Sequence, residues 1–142
     1  MLTRHAQATW EGDLAGGKGN VKTDSGVLNH PYSFRTRFEN VTGTNPEELI
    51  GAAHASCYAM ALSHMLASGG HKPTRVTTKA DVTLDKVGEG FKITKIVLTC
   101  EAVVPGLDDK TFQETAAKAK TGCPVSQALA ATPIELKATL QK

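Results

Sequence analysis

Three cysteines, Cys57, Cys100 and Cys123, are the strongest nucleophiles in this sequence. They cannot all pair with one another, and their spacing matches no CxxC metal or redox pattern. In a reducing compartment a cysteine is either packing material or chemistry, and seldom a permanent cross-link. Cys100 falls in line with Ile96, Leu98 and Ala102 on the apolar side of an alternating stretch, so it is assigned to the core. Cys57 lies in the middle of a long apolar helix and, taken alone, is more often core than catalyst. A mid-helix thiol gets no help from the macrodipole and needs a nearby cation to bring its pKa below about 8.5. Cys123 stands between Gly122 and Pro124 at the head of a short helix, where an exposed thiol is favoured as thiolate by free backbone N–H groups. Its alternative is an ordinary exposed loop cysteine.

The five histidines form no ligand set. His5, His30 and His71 fall on strands or loops, and His54 and His64 are about 80° apart around their helix and about 15 Å apart along it. A zinc site from these residues is not expected. No GxSxG, glycine-rich phosphate loop or nucleotide motif is present, and the 13 glycines fall at turns and helix ends.

The element that must carry Cys57 runs from Asn45 to Gly70. Asn45 serves as N-cap, Pro46 suits the first helical position, and Glu48 three residues on completes a capping box. Gly69 and Gly70 offer the left-handed stop, and Pro73 prevents a restart. Leu49, Ile50, Ala53, Tyr58, Met60, Leu62, Met65 and Leu66 point around the whole helix, which is therefore expected to be buried on more than one side. His54, Ser56, Ser63, His64 and Ser68 argue against a membrane span.

Before this helix, residues 3–10 and the NVKTDSG stretch read as two strands of an antiparallel meander. PYSFRTRFEN reads as a third, with Tyr32, Phe34 and Phe38 on one face and Arg35 and Arg37 on the other. After it, Val76 to Leu84 and Ile96 to Val104 alternate about a turn at Gly88 and Gly90, a long hairpin with one buried face. A helix follows from Asp108 to about Thr121, with Phe112, Thr115, Ala116 and Ala119 as its stripe. A short helix then starts at Pro124 with Cys123 as cap, and Ile134 to Leu140 closes the chain as a strand. The order favours an α+β fold with antiparallel sheets over a Rossmann arrangement. The surplus apolar faces of the long helix predict a homodimer.

At 142 residues the chain fits one domain, and its net charge of +2, with basic and acidic residues scattered, leaves no electrostatic footprint for nucleic acid. The first twenty residues lack the apolar run of a secretory signal and no segment suits a membrane anchor, so a cytoplasmic protein is expected.

The run TNPEELIGAAHASCYAMALS, the later GCPVS and the preceding SFRTRFE closely resemble the OsmC branch of the OsmC/Ohr family of thiol-dependent peroxidases. The resemblance covers essentially the whole chain, including TRHAQATWEGDL and the VTLDKVGEGFKITKIVL hairpin. It implies an OsmC-like α+β fold with a long buried central helix, in an intertwined homodimer with two sites at the subunit interface. It implies reduction of organic hydroperoxides, and more weakly hydrogen peroxide, without metal or flavin. By position, Cys57 would be the peroxidatic cysteine and Cys123 the resolving one, forming a Cys57–Cys123 disulfide. Arg37 would be the thiolate's partner and Glu47 would orient it; Arg35, on the same expected strand face, competes for that role except that Arg37 matches the family position. A dithiol, either a small molecule or a lipoylated protein, would regenerate the enzyme. Glu47 and Cys57 are about 15 Å apart on one straight helix, so either Arg37 spans the gap or an antiparallel partner helix supplies its own Glu47; the second is preferred because it also explains a buried helix and a site at the interface. Two other readings compete: a non-catalytic carrier of hydrophobic ligands, and an acyl-thioester hydrolase using Glu47 or His54, for which no motif is present.

Overall fold

A computed structural model describes all 142 residues, and the chain forms two compact units, residues 1–49 and 50–142. In the first, β1 (Ala6–Glu11), β2 (Lys18–Thr23) and β3 (Asn29–Tyr32) form an antiparallel sheet in sequential order. Gly19 sits opposite both Trp10 and Tyr32, whose ring centroids are 5.4 Å apart. A Cβ at position 19 would lie 2.6 Å from each ring, so glycine is what lets these two aromatics close over the middle strand.

The expected third strand through Phe38 is a correction: β3 stops at Tyr32, and Phe34–Phe38 is a short helix, α1. The Ser33 hydroxyl accepts the Thr36 N–H at 3.2 Å, and Thr36 Oγ1 accepts the Ser33 N–H at 3.0 Å. This reciprocal cap satisfies backbone groups a strand would have paired elsewhere, and it outweighs the alternating pattern. Helical spacing then brings Phe34 and Phe38 to 4.8 Å, and Arg35 donates to Glu39 at 3.1 Å. Arg35 and Arg37 therefore do not share a face.

The long helix, α2, runs Pro46–Ser68. Asn45 Oδ1 accepts the Glu48 N–H at 2.8 Å, as an N-cap should. Its other end is a Schellman stop, with His71 N–H donating to Leu66 O at 2.9 Å, Gly70 N–H to Ala67 O at 3.0 Å, and Gly70 at φ +90°.

In the second unit, β4 (Arg75–Val87) and β5 (Gly90–Val103) form the expected hairpin, turning at Gly88 with φ +62° and bulging at Thr83/Leu84. Ile96, Leu98, Cys100, Ala102 and Val104 are all buried, as their alternation implies. The final strand, β6 (Ile134–Gln141), pairs with β5 in parallel, which corrects the expectation of antiparallel sheet throughout. The connection through α3 (Asp109–Gly122) and α4 (Pro124–Ala128) is long enough for a crossover, which a parallel pair requires. Phe112, Ala116 and Ala119 are the buried face of α3.

Along α2 within this unit, one stripe is buried: His54, Tyr58, Leu62 and Leu66. Gly51 lies on β4, where a Cβ would be 3.5 Å from Ala80 O and from Val82. Ala52, Ala53, Ser56, Met60, His64 and Ala67 are exposed, Met60 at 73%. Burial on several sides is thus not reached within a single chain. No helix is long and apolar enough to cross a membrane.

Candidate active site

Cys123 occupies the joint between two helices, and its conformation follows from Pro124. Proline disfavours helical backbone in the residue before it and is well placed at the first position of a new helix. Cys123 is accordingly extended (φ −60°, ψ 123°), capping the end of α3 through its N–H to Ala119 O at 2.9 Å and preceding α4. Gly122 also packs close to α2, a Cβ there lying 2.9 Å from Met65 Cε, the movable end of a flexible side chain. Tyr58, the residue after Cys57, is fully buried and donates its hydroxyl to Ala116 O at 3.0 Å, tying α2 to α3. Between these two anchors, Cys57 Sγ and Cys123 Sγ face each other at 2.9 Å, both as free thiols.

Their environments differ. Cys57 is half-buried, while Cys123 is fully buried, not exposed as its loop-like flanks imply. The reason is tertiary: the joint folds inward against α2. Burial pushes the Cys57 thiol up, and the bond and charge of Cys123 push it further, against one N–H from Val125. Burial also raises Cys123, but the hydrogen bond with Cys57, the N–H and hydroxyl of Ser126, and the Val125 N–H together outweigh it and leave this thiol below its ordinary value. The capping contact lacks full hydrogen-bond geometry, yet these donors still favour the charged sulfur. Local electrostatics therefore make Cys123 the readier thiolate of the pair.

One turn before Cys57 on α2, fully buried His54 places Nε2 2.7 Å from Ser126 Oγ. Ser126 is a residue that motif reasoning passes over. Its signal is positional: it stands three residues after the cap Cys123, the place whose backbone and side chain turn back toward the cap. Cys100, by contrast, is buried in the core opposite Thr78 on β4 with no thiol partner, as expected.

In the first unit, Arg37 donates from Nη2 to Glu47 Oε1 at 2.8 Å and from Nε to both carboxylate oxygens at 3.2 and 3.3 Å. Glu47 is 7% exposed, and the Arg37 guanidinium also lies 5.3 Å from the Phe38 ring centroid. Arg35 is exposed and occupied by Glu39, which separates it from the role considered for Arg37. An apolar hollow of about 390 Å³ adjoins Arg37, lined by Trp10, Leu14, Tyr32 and Phe34. Larger hollows, within residues 28–49, 103–142 and 59–76, contain none of the thiols and neither member of the Arg37–Glu47 pair. The structure thus joins Cys57 to Cys123 and Arg37 to Glu47, each pair within its own unit. No group of three or more His, Cys, Asp or Glu is arranged to hold a metal ion.

The family model for OsmC-like protein matches residues 39–138. The chain is 61% identical over 131 residues to Peroxiredoxin OsmC of Escherichia coli (strain K12), covering 92% of both chains. It is 32% identical over 117 residues to Organic hydroperoxide resistance protein OhrB of Bacillus subtilis (strain 168), covering 80% of this chain and 82% of that protein. Among solved structures, an organic hydroperoxide resistance protein OsmC from Legionella pneumophila superposes with a TM-score of 0.74 at 26% identity, covering 100% of this chain and 98% of that one.

Proposed function

This chain belongs to the OsmC-like family, and on that premise we propose that it is a cysteine-based peroxidase that reduces organic hydroperoxides and, more weakly, hydrogen peroxide. The observation that carries this reading is the pair of free thiols 2.9 Å apart, one half-exposed and one buried. That is the geometry of a two-cysteine cycle.

Cys57 thiolate attacks one peroxide oxygen, the O–O bond breaks, and the departing alkoxide takes up a proton to leave as alcohol. Cys57 is left as sulfenic acid. Cys123 attacks that sulfur as thiolate, the S–O bond breaks, and the hydroxide takes a proton from solvent, replacing the one released when Cys123 ionised, to leave as water. The Cys57–Cys123 disulfide is then reduced by a dithiol, a small molecule or a lipoylated protein, which becomes a cyclic disulfide. Because burial and Cys123 both disfavour a Cys57 thiolate, the first step needs a cation, and we assign it to Arg37. A guanidinium held by Glu47 stays charged, offers a fixed fork, and stabilises both the thiolate and the leaving oxygen. The apolar hollow beside Arg37 supports an organic rather than a purely polar peroxide.

The working unit is a cytoplasmic homodimer in which residues 1–142 act as one peroxidase domain. The exposed small and apolar face of α2, centred on Met60, supports a second copy of the chain as its cover.

The test is Cys57→Ser, which abolishes consumption of an organic hydroperoxide, beside Cys123→Ser, which lets sulfenic and then sulfinic acid accumulate at Cys57. Full turnover by the Cys57 variant would end the peroxidase reading and leave the hydrophobic-ligand carrier in its place.

A further inference from the structure

His54 is fully buried, yet only one of its ring nitrogens is satisfied. Nε2 lies 2.7 Å from Ser126 Oγ, and Nδ1 has no hydrogen-bond partner within the chain. Burial pushes the imidazole pKa down, so the ring is neutral and carries a single proton. An unpaired buried N–H is rarer than an under-satisfied acceptor, which puts that proton on Nε2 and leaves Nδ1 as the bare lone pair. His54 is then the donor to Ser126 Oγ. The Ser126 hydroxyl is free to point its own hydrogen away from His54, and as the third residue of α4 it faces back toward the cap Cys123, whose sulfur would accept it.

We propose that His54 and Ser126 are positioning residues for Cys123: a buried relay of donors, imidazole N–H to hydroxyl and hydroxyl to sulfur, that holds Cys123 as an oriented thiolate facing Cys57. This rests on the reading of Cys123 as the resolving thiol. The other titratable groups at this sulfur are Cys57 and the buried phenol of Tyr58, whose pKa is pushed up by burial first and then by Cys100 and Cys123.

The relay acts in both halves of the cycle. In condensation it presents the Cys123 sulfur to the sulfenic acid already deprotonated. In regeneration the external thiolate attacks Cys57, since Cys123 is fully buried. The S–S bond breaks with its electrons passing to Cys123, and a stabilised thiolate leaves faster. The second thiol of the dithiol then displaces Cys57 from the mixed disulfide.

Ser126→Ala and His54→Phe remove one donor each, and His54→Gln returns an N–H to the Nε2 position. In full-length chains carrying Cys57→Ser and Cys100→Ala, Cys123 is the last thiol, and its ionisation is read by thiolate absorbance at about 240 nm across pH. The expected result is an inflection moved to higher pH by Ser126→Ala and His54→Phe and restored toward the parent by His54→Gln. With Cys57 and Cys100 intact, disulfide formation after one equivalent of organic hydroperoxide slows about tenfold in the first two variants, equivalent to about 1.4 kcal/mol. Rapid-quench mass spectrometry then finds more Cys57 sulfinic acid. An unmoved inflection in folded Ser126→Ala protein, or His54→Gln behaving like His54→Phe, would overturn the proposal. A parent chain that forms no Cys57–Cys123 disulfide would defeat the peroxidase reading instead, while the absorbance titration, which needs no peroxide, still decides the relay.

Discussion

At the scale of single residues, Glu47 does for Arg37 what no backbone group does: it engages the guanidinium through both Nε and Nη2 while itself being almost fully buried. Hydrogen bonds to charged groups contribute about 1.5–3 kcal/mol each, twice the neutral kind. Glu47→Gln keeps the shape and removes the charge. If the fork orients Arg37 for the peroxide, kcat/KM for an organic hydroperoxide falls about 10–100-fold in this variant. Arg37→Lys falls at least as far, because an ammonium cannot reproduce the planar two-point contact. Steady-state kinetics of both variants check this, and unchanged values would remove the pair from the site. Whether Arg37 or Arg35 carries this role was open in the sequence, where alternation placed both on one face. The Ser33–Thr36 cap turns the segment into a helix and separates them in position, Arg35 bonding Glu39 and Arg37 bonding Glu47.

At the scale of elements, the site depends on a break between α3 and α4 placed at Cys123. Pro124→Ala restores an N–H and lifts the restriction on Cys123, so the two helices can fuse through this residue. Cys123 would then turn with the helix, away from its 2.9 Å approach to Cys57. The expected outcome is helix content equal to or slightly above the parent by circular dichroism, together with disulfide formation slowed at least about tenfold, or about 1.4 kcal/mol. A variant that closes the disulfide at the parental rate would show that the tertiary anchors at Tyr58 and Gly122, not the proline, place the thiol.

At the scale of the whole molecule, the exposed face of α2 leaves apolar surface uncovered on a helix in the core of the chain. Met60 at 73% exposure, with Ala52, Ala53 and Ala67 around it, is the surface a second chain would cover. Met60→Glu puts a charge there and is expected to shift the species seen by size-exclusion chromatography with light scattering from dimer to monomer at micromolar concentration. A parent chain that is itself monomeric under those conditions would sink the dimer. Stability also carries a pH signature. Burial lowers the pKa of His54 in the folded chain from its ordinary 6.5, so below about that pH the unfolded chain binds a proton that the folded one refuses. Its contribution is therefore fully present above pH 6.5 and is lost as pH falls toward the folded pKa. The midpoint of thermal unfolding is expected to drop between about pH 7 and 5, less steeply in His54→Gln, and equal slopes would contradict a neutral buried imidazole.

The elements legible from sequence alone are those whose signals are local and repeated. The Asn45 N-cap and glycine stop of α2, the period-two alternation of β4 and β5, the stripe of α3 and the proline that opens α4 all stand where patterning places them, because each is decided within a few residues. Cys57 and Cys123 became a candidate pair by resemblance, not by any physical signal in the 65 positions between them. Tertiary structure decided the rest. It brought the two sulfurs together by tying α2 to α3 through Tyr58, and buried Cys123 where its flanks suggested exposure. It laid β6 parallel to β5, and joined His54 to Ser126 across 72 positions of chain. Such contacts depend on which faces of distant elements meet, and no periodicity within either element records that choice.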